Sequence, residues 1–450
     1  MKIKNFGMVK KINIDIAPLT IFVGQNSSGK SSIAKLIHCF NLNSKTNNIT
    51  YKLILNEFIN ESNKKIFQKT LNEFKQYLKT KPTLNSDSFK ISLDEFKQVF
   101  IEGIERYFSQ TFENILIKQF DENLDDLINL DEHYFKITLN NKFKIIKNKS
   151  ESLSFNTDTL NITIEDIIKI ESNEETVNIN INSLVFTNEK NLFTMIYRLL
   201  IDSIFNEILL YNSHYIPAER TEFINDKKLL NQKIKGQIEL SKNQEDILAN
   251  IYNIDVYKKS IFYDLACQAE KELHDIDTII KYNGIFNEIH YLKSNKEMSP
   301  KILSTSTTEM SLIILYLKYL LKKEDLLIIE EPEAHIHPKN QRILIKYLVK
   351  AVNMGLKVLF TTHSDYIIDQ INNYIGLNKI KESTLKEMGY DNDTKLTPSQ
   401  LNIYHFKICS KNSVHVEKVK IENDGFIDEN FSQINDELYD ETLKIINYTK

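Results

Sequence analysis

Short apolar runs alternate with amphipathic helical patterns in two parts of the chain, one near each end. The first part predicts three strands and the start of a helix, at residues 2–6, 12–16, 19–23 and from Gly29 onward. The second part predicts a helix, a strand, a helix and a strand, at residues 310–322, 326–329, 338–353 and 357–364. Strands that alternate with helices predict a mainly parallel α/β sheet, with its ligand site at the carboxyl ends of the strands.

Between these two parts the pattern changes, and it predicts a large α+β insertion of amphipathic helices followed by alternating β-like runs. A strand at 214–220 follows the insertion, and helices are predicted from about 226 to 296. The last part of the chain predicts a small α+β tail with an acidic final helix. The predicted segments are 1–40, 41–205 (the insertion), 206–300 (a return strand and helical subdomain), 301–376 and 377–450 (the tail).

Net charge and cysteine content limit the binding partners and the cellular compartment expected for the protein. The formal charge is −4, so no global field would hold the chain on nucleic acid or on an anionic membrane. Three widely spaced cysteines without a C-x-x-C pair favour a reducing compartment, and we expect a cytoplasmic protein. The sequence predicts neither a signal peptide nor a membrane segment.

Glycine is scarce, with 10 in 450 residues, and only Gly24 and Gly29 lie as close as five residues apart. This pair satisfies G-x-x-x-x-G-K-[ST] between a buried strand and a helix, the context that identifies a phosphate-binding loop. In such a loop the backbone N–H groups surround the phosphates, Lys30 reaches the β and γ phosphates, and the Ser31 hydroxyl ligates Mg²⁺. The predicted nucleotide-binding residues are Gly24, Gln25, Asn26, Ser27, Ser28, Gly29, Lys30, Ser31 and Ser32.

Two carboxylates follow the buried strand at 326–329 and suggest a hydrolytic site. Glu330 is the candidate ligand of Mg²⁺, and Glu331 is the candidate base that orients and polarises the attacking water. The alternative is an acidic surface turn after a core strand. Glu330 stands where Asp is usual, so its longer side chain shifts the metal slightly while keeping the charge.

Three histidines near these segments have competing interpretations. His335 and His337 suggest a metal pair, but no third ligand is evident, and a loop fixed by Pro338 is the preferred interpretation. His363 ends a predicted strand and is a candidate contact of the γ-phosphate, the alternative being a structural histidine.

The segments 24–31, 330–338 and 361–364 resemble the Walker A, Walker B with D-loop, and switch-histidine motifs of ABC-type ATPases of the SMC/RecF and OLD (overcoming lysogenisation defect) group. The resemblance implies a P-loop NTPase fold, specifically an ABC ATPase head, with ATP and Mg²⁺ as cofactors. It implies catalytic roles for Lys30, Glu331 and His363. The wide separation of the two Walker motifs is expected where an insertion divides the head.

In that group two heads dimerise around ATP, so the resemblance implies a homodimer or a higher homo-oligomer. The segment 303–307 lies where the signature motif is expected, and Ser304 is the candidate contact of the γ-phosphate in trans. The usual glycines are absent there, so the alternative is a plain helix cap, and slow hydrolysis is expected. Arg220 lies where the family has its Q-loop, either as a phosphate or water-network residue or in a surface salt bridge.

OLD nucleases carry a C-terminal Toprim nuclease, but residues 364–450 are predicted to be too short for one. The layout instead resembles standalone ATPase subunits of anti-phage systems such as Septu and PARIS, whose nuclease or toxin effector is a separate protein. We therefore expect a sensor or regulatory ATPase without a nuclease domain of its own. The alternatives are a RecF-like DNA repair ATPase and a slow nucleotide-gated scaffold that holds a toxin. Lysines at 142–149 and 227–235 are the candidate DNA contacts.

Overall fold

The computed structural model divides the chain into two compact units. It describes residues 2–45, 88–92, 115–120, 155–156, 159–163, 171–172, 175–176, 212–220, 241–282, 284, 287–410, 413–422 and 441. The first unit comprises Met1–Cys39, Leu116–Glu132 and Tyr211–Lys450, and the second comprises Phe40–Ile115 and His133–Leu210. The predicted segment boundaries, including the insertion at 41–205, stay predictions.

An eight-stranded sheet is the main sheet of the first unit within the residues that the structure describes. Its strands, in chain order, are β1 (Lys2–Phe6), β2 (Val9–Asn13), β3 (Leu19–Gly24), β9 (Ser213–Ile216), β13 (Leu326–Glu330), β14 (Lys357–Thr362), β15 (Leu401–Ser410) and β16 (Ser413–Lys418). Their spatial order is β1-β2-β16-β15-β3-β14-β13-β9. Strands β9, β13, β14, β3 and β15 run parallel, so their carboxyl ends meet at one edge. This is the ligand-binding edge of an α/β sheet.

Helices cover the parallel strands and bury them. The α-helices with described bounds that lie in this unit include α1 (Lys30–Lys45, in this unit as far as Cys39), α2 (Lys242–Tyr252), α3 (Tyr263–Leu273), α4 (Thr305–Leu315), α5 (Pro338–Asn353), α6 (Asp365–Gly376) and α7 (Glu382–Glu387). Every residue of β3 and of β13 is buried, as expected of strands covered on both faces. The predicted α/β fold, with a phosphate loop between a buried strand and a helix, is confirmed.

Several element boundaries differ from the sequence predictions. The second strand lies at Val9–Asn13 rather than 12–16, and the strand predicted at 214–220 ends at Ile216. Helix α4 begins at Thr305, five residues before the predicted start, because Ser304 caps it. It continues as a π-helical turn at Tyr316–Leu320, where Leu321 N–H donates to Tyr316 O.

The region predicted as a separate tail instead contributes to the main sheet. Strand β15 pairs in parallel with β3 along six positions, from Leu401 opposite Leu19 to Phe406 opposite Gly24. Its first six residues are buried. Strand β15 of the segment 377–450, which is predicted to form a small C-terminal α+β tail, is thus part of the main sheet, because its apolar run supplies a neighbour of the strand that carries the phosphate loop. The predicted acidic final helix lies outside the described residues, apart from Glu441.

The helices predicted up to residue 296 are wrong over the last part of that range. Strands β10 (Asp277–Tyr282), β11 (Asn287–Lys293) and β12 (Lys296–Met298) form a separate three-stranded antiparallel sheet. Lys281 of β10 and Glu297 of β12 form an ion pair at 2.8 Å across the intervening strand β11.

Short strands are described in the second unit. They are β4 (Ser88–Ser92), β5 (Phe155–Asn156), β6 (Thr159–Thr163), β7 (Glu171–Ser172) and β8 (Glu175–Thr176). Strands β4, β6 and β5 form one antiparallel sheet, and β7 pairs with β8. Most of the amphipathic helical and β-like segments predicted for this region lie outside the described residues.

Among the described helices, none combines the length and apolar character that a bilayer crossing needs. Cys39, Cys267 and Cys409 are free thiols, buried, half-buried and exposed respectively.

Candidate nucleotide-binding site

The phosphate loop joins β3 to α1 at the ligand-binding edge of the sheet. Gly24, Ser27 and Gly29 have φ angles of +141°, +58° and +85°, the left-handed backbone that turns successive N–H groups inward. A Cβ on Gly24 would lie 2.4 Å from the carbonyl oxygen of Phe406 in β15, so only glycine fits there. The loop is therefore closed on one side by β15.

The predicted loop residues differ in exposure along the loop. Gln25, Asn26 and Ser27 are exposed, whereas Ser28 is buried and Gly29 is half-buried. Ser31 and Ser32 are half-buried in the first turn of α1. The exposed backbone and the helix N-terminus form a concave surface suited to phosphate oxygens.

Lys30 is the buried cation of the loop. Its Nζ donates to Gly24 O at 2.9 Å, to Gln25 O at 2.8 Å and to Ser28 Oγ at 3.4 Å, so the side chain curls back over the loop. Burial lowers the pKa of Lys30 to about 8, although the carboxylates of Glu331 and Glu333 act in the opposite direction. A phosphate group would supply the anionic partner that this ammonium otherwise lacks at short range.

Glu330 ends β13 as a buried carboxyl group. The Tyr215 hydroxyl of β9 donates to its Oε1, and Tyr215 stacks on His38 of α1 with ring centroids 5.4 Å apart. His38 Nδ1 in turn lies 2.9 Å from Ser213 Oγ. Burial raises the pKa of Glu330, which the hydrogen bond from Tyr215 opposes. The carboxyl group is thus oriented by a partner on the adjacent strand.

Glu331 and His363 come together at the ends of two adjacent strands, β13 and β14. Glu331 Oε1 lies 3.5 Å from His363 Nε2, and this contact lowers the pKa of Glu331. Glu331 has a φ of +42°, which is uncommon for a residue with a side chain. Its N–H donates to both Thr361 O and Thr361 Oγ1 at 3.1 Å, so β14 fixes the start of the turn. An ionised carboxylate is the form that can accept a proton from water.

Glu333 was not singled out from the sequence, although the Glu-Glu-Pro-Glu run contains it. Its Oε1 accepts from Thr362 Oγ1 and from His363 N–H, each at 2.7 Å. Its Oε2 is buried without a hydrogen-bond partner, and burial raises its pKa. Glu333 therefore holds the strand end that presents His363.

Arg220 is buried, which decides against one of the two environments predicted for it. The side chain is completely buried, so the surface salt bridge is wrong. Its Nε lies 2.8 Å from Glu309 Oε2 of α4, and its other nitrogens donate to backbone carbonyls of the turn that follows β13. The role of Arg220 as a phosphate or water-network residue stays a prediction.

Ser304 caps α4 and is exposed. Its Oγ accepts from Thr307 N–H at 3.2 Å and lies 2.8 Å from Thr307 Oγ1. The cap is compatible with either predicted role, and the contact in trans stays a prediction. His337 likewise caps α5, whose first residue is Pro338, while His335 Nδ1 lies 3.2 Å from Glu309 Oε1.

The donor set suits Mg²⁺ held largely by a nucleotide. In the described residues, no group of three or more His, Cys, Asp or Glu side chains is placed to hold a metal ion. Mg²⁺ commonly takes one or two protein oxygens and completes its shell with phosphate and water. Ser31 Oγ and Glu330 would be those protein ligands, which fits a buried carboxyl group that is already oriented.

The site and fold define a nucleotide-binding protein with a phosphate loop. A model of the AAA ATPase domain family matches residues 1–368, and the chain belongs to this family.

Among curated proteins, the chain is similar to "Endonuclease GajA" of Bacillus cereus (strain HuB5-5), with 26% identity over 420 residues. That alignment covers 84% of this chain and 56% of the relative, so the chain spans little more than half of its length.

Solved structures of Smc heads align over almost the whole chain with low scores. One is the Smc head bound to the C-winged helix domain of ScpA, with a TM-score of 0.35, 11% identity, and coverage of 94% of this chain and 97% of that one. Another is the Smc head with an extended coiled coil bound to the C-terminal domain of ScpA derived from Pyrococcus furiosus, with a TM-score of 0.32, 10% identity, and coverage of 97% and 98%. The fold assignment rests on the strand order and the phosphate loop.

Proposed function

We propose that this chain is a Mg²⁺-dependent ATPase that binds ATP on the phosphate loop and hydrolyses it to ADP and phosphate. One observation carries the proposal: Lys30, Glu331 and His363 follow three adjacent parallel strands, β3, β13 and β14, at their carboxyl ends. Membership of the AAA ATPase domain family supports it.

Each residue has a defined part in the proposed reaction. Lys30 neutralises charge on the β and γ phosphates, and the loop N–H groups fix their position. Bound Mg²⁺, held by Ser31 and Glu330, would add positive charge at the phosphate oxygens. Glu331 orients the attacking water and accepts its proton, because the contact with His363 keeps its carboxylate ionised.

The test of ATP hydrolysis compares wild type with Lys30→Ala and Glu331→Gln. Wild type should release phosphate, Lys30→Ala should lose ATP binding, and Glu331→Gln should bind ATP while turnover falls by about 10²–10⁴-fold. Wild-type turnover no greater than that of Lys30→Ala would leave only the nucleotide-gated scaffold. Unchanged turnover in Glu331→Gln would remove Glu331 from the role of base.

We further propose that the chain is the regulatory ATPase of an anti-phage defence system, in the cytoplasm, and that it acts on a separate nuclease or toxin. The resemblance of its motifs to OLD-type ATPases supports this role. Two copies would enclose ATP, with Ser304 of one copy at the γ-phosphate of the other. Slow turnover is expected, because the segment around Ser304 lacks glycine.

The neighbouring reading frame and a DNA-binding isotherm separate this role from DNA repair. A nuclease or toxin encoded beside the chain supports the defence role, and a recombination operon reverses it. Binding to DNA that weakens steeply with salt supports a repair ATPase. The candidate DNA-binding lysines at 142–149 and 227–235 lie outside the described residues.

Light scattering with and without ATP, on wild type and Ser304→Ala, tests the dimer.

A further inference from the structure

Arg220 connects three elements that meet behind the hydrolytic site. Its Nε lies 2.8 Å from Glu309 Oε2 and 3.1 Å from Glu309 O, in the first turns of α4. Its Nη1 donates to Pro217 O at 3.3 Å, in its own segment after β9. The remaining hydrogen bonds go to the acidic turn, which we define as residues 330–335. One planar cation therefore joins the end of β9, α4 and the acidic turn.

The contacts with the acidic turn fall on three consecutive carbonyl groups. Nη1 donates to Glu330 O at 3.0 Å, and Nη2 donates to Glu331 O and Pro332 O at 3.3 Å each. A buried carbonyl group that lacks a hydrogen-bond donor costs free energy. The turn therefore stays in the position in which the guanidinium donates to these three oxygens. The fork of five N–H donors in arginine matches such a set, whereas the ammonium of lysine is a single point.

The backbone of Glu331 needs this support. Its φ of +42° is a strained conformation for a residue with a Cβ, with a cost of about 1–3 kcal/mol. Such strain persists only where the surroundings fix both sides of the residue. Here Thr361 binds the Glu331 N–H, and Arg220 binds the Glu331 carbonyl. The direction of the Glu331 carboxylate follows from this backbone.

We propose that Arg220 is a positioning residue, which fixes the backbone of the acidic turn so that the Glu331 carboxylate faces His363 and the attacking water. Glu309 anchors the guanidinium from the side of α4. In this role Arg220 acts through the backbone of the turn rather than on the nucleotide itself. The inference rests on the proposed ATPase activity, since it assigns Arg220 a part in orienting its base.

The experiment separates positioning from general stability by comparing Arg220→Lys with wild type. Lysine keeps the positive charge beside Glu309 but cannot serve three carbonyl groups. We expect kcat to fall by about 100-fold, because a displacement of about 1 Å at a reacting group costs that much. The Kd for ATP should stay within about threefold of wild type, because Arg220 does not contact the phosphate loop. Arg342→Lys is the matched control, since Arg342 Nε donates to Gln370 at 2.6 Å outside the turn.

Amide hydrogen exchange provides a readout that needs no turnover. In Arg220→Lys, exchange should rise in peptides that cover 331–336 and stay unchanged in β3 and β15. Glu309→Gln keeps the shape of the side chain but loses the negative charge that anchors Arg220. It should show a smaller fall in kcat and a smaller rise in exchange at 331–336, and it replaces Arg220→Lys as the test if that variant does not fold.

Three outcomes would overturn the positioning role. They are an unchanged kcat, a loss of ATP affinity as large as the loss of kcat, and faster exchange throughout the sheet. Absence of turnover in wild type would refute the proposed ATPase alone, since the exchange measurement still decides the role of Arg220 in the turn.

Discussion

Gly24→Ala tests the placement of β15 beside the phosphate loop. The new Cβ would lie 2.4 Å from Phe406 O, a backbone atom inside the sheet that cannot turn aside. The φ of +141° adds a conformational cost of about 1–3 kcal/mol, and overpacking adds a similar amount. We expect a loss of about 4 kcal/mol, a large part of the stability of a typical protein. For a unit of this size, that loss lowers Tm by about 8 °C.

Thermal unfolding followed by circular dichroism measures this loss against two matched variants. Gly389→Ala introduces a Cβ at φ +77° with no atom within 4 Å, so it should cost only about 1 kcal/mol and about 2 °C. Gly29→Ala should be intermediate, since its Cβ would meet the movable side-chain atom Cγ2 of Val9 at 3.3 Å. Equal shifts for Gly24→Ala and Gly389→Ala would refute the pairing of β15 with β3 at this position.

Three further predictions concern a lysine, a tyrosine and an ion pair. Because the pKa of Lys30 is lowered to about 8 in the ATP-free protein, ATP binding above that pH should take up a proton, and its Kd should rise by up to about tenfold per pH unit. Calorimetry in two buffers of different ionisation enthalpy measures how many protons are taken up per ATP bound. A Kd that does not change with pH would contradict the lowered pKa of Lys30. Tyr215→Phe, which removes the hydroxyl that orients Glu330, should raise by about tenfold the Mg²⁺ concentration needed for half-maximal turnover. Lys318→Met should cost about 3–5 kcal/mol, because it leaves the Glu270 carboxylate buried and unpaired, and adding Glu270→Leu should restore most of the stability in thermal unfolding.

The parts of the fold that the sequence predicts well are those with purely local signals. Strands β3, β13 and β14 are buried and mainly apolar, and helix α5 begins at Pro338 as predicted. The signal for such an element lies within the element itself, as with the proline at the start of α5. The phosphate loop belongs to the same class, because its glycines and lysine act through their own backbone.

The parts that the sequence does not predict depend on distant partners. The run that forms β15 gives no sign that it pairs with β3, since the two strands are far apart in the chain. Arg220 follows a short strand and looks like a surface charge, and only the fold brings Glu309 and three carbonyl groups around it. Tyr215 is likewise an apolar strand residue until β13 places Glu330 beside its hydroxyl.

The strand order has a consequence for the synthesis of the protein. Strand β3 leaves the ribosome well before either of its neighbours in the sheet, at 357–362 and 401–406, has been made. Until then Phe406 does not close the phosphate loop on one side. The unpaired N–H and C=O groups on both edges of β3 favour aggregation. A nascent chain should therefore need protection during elongation, and its phosphate loop is enclosed only after β14 and β15 have emerged.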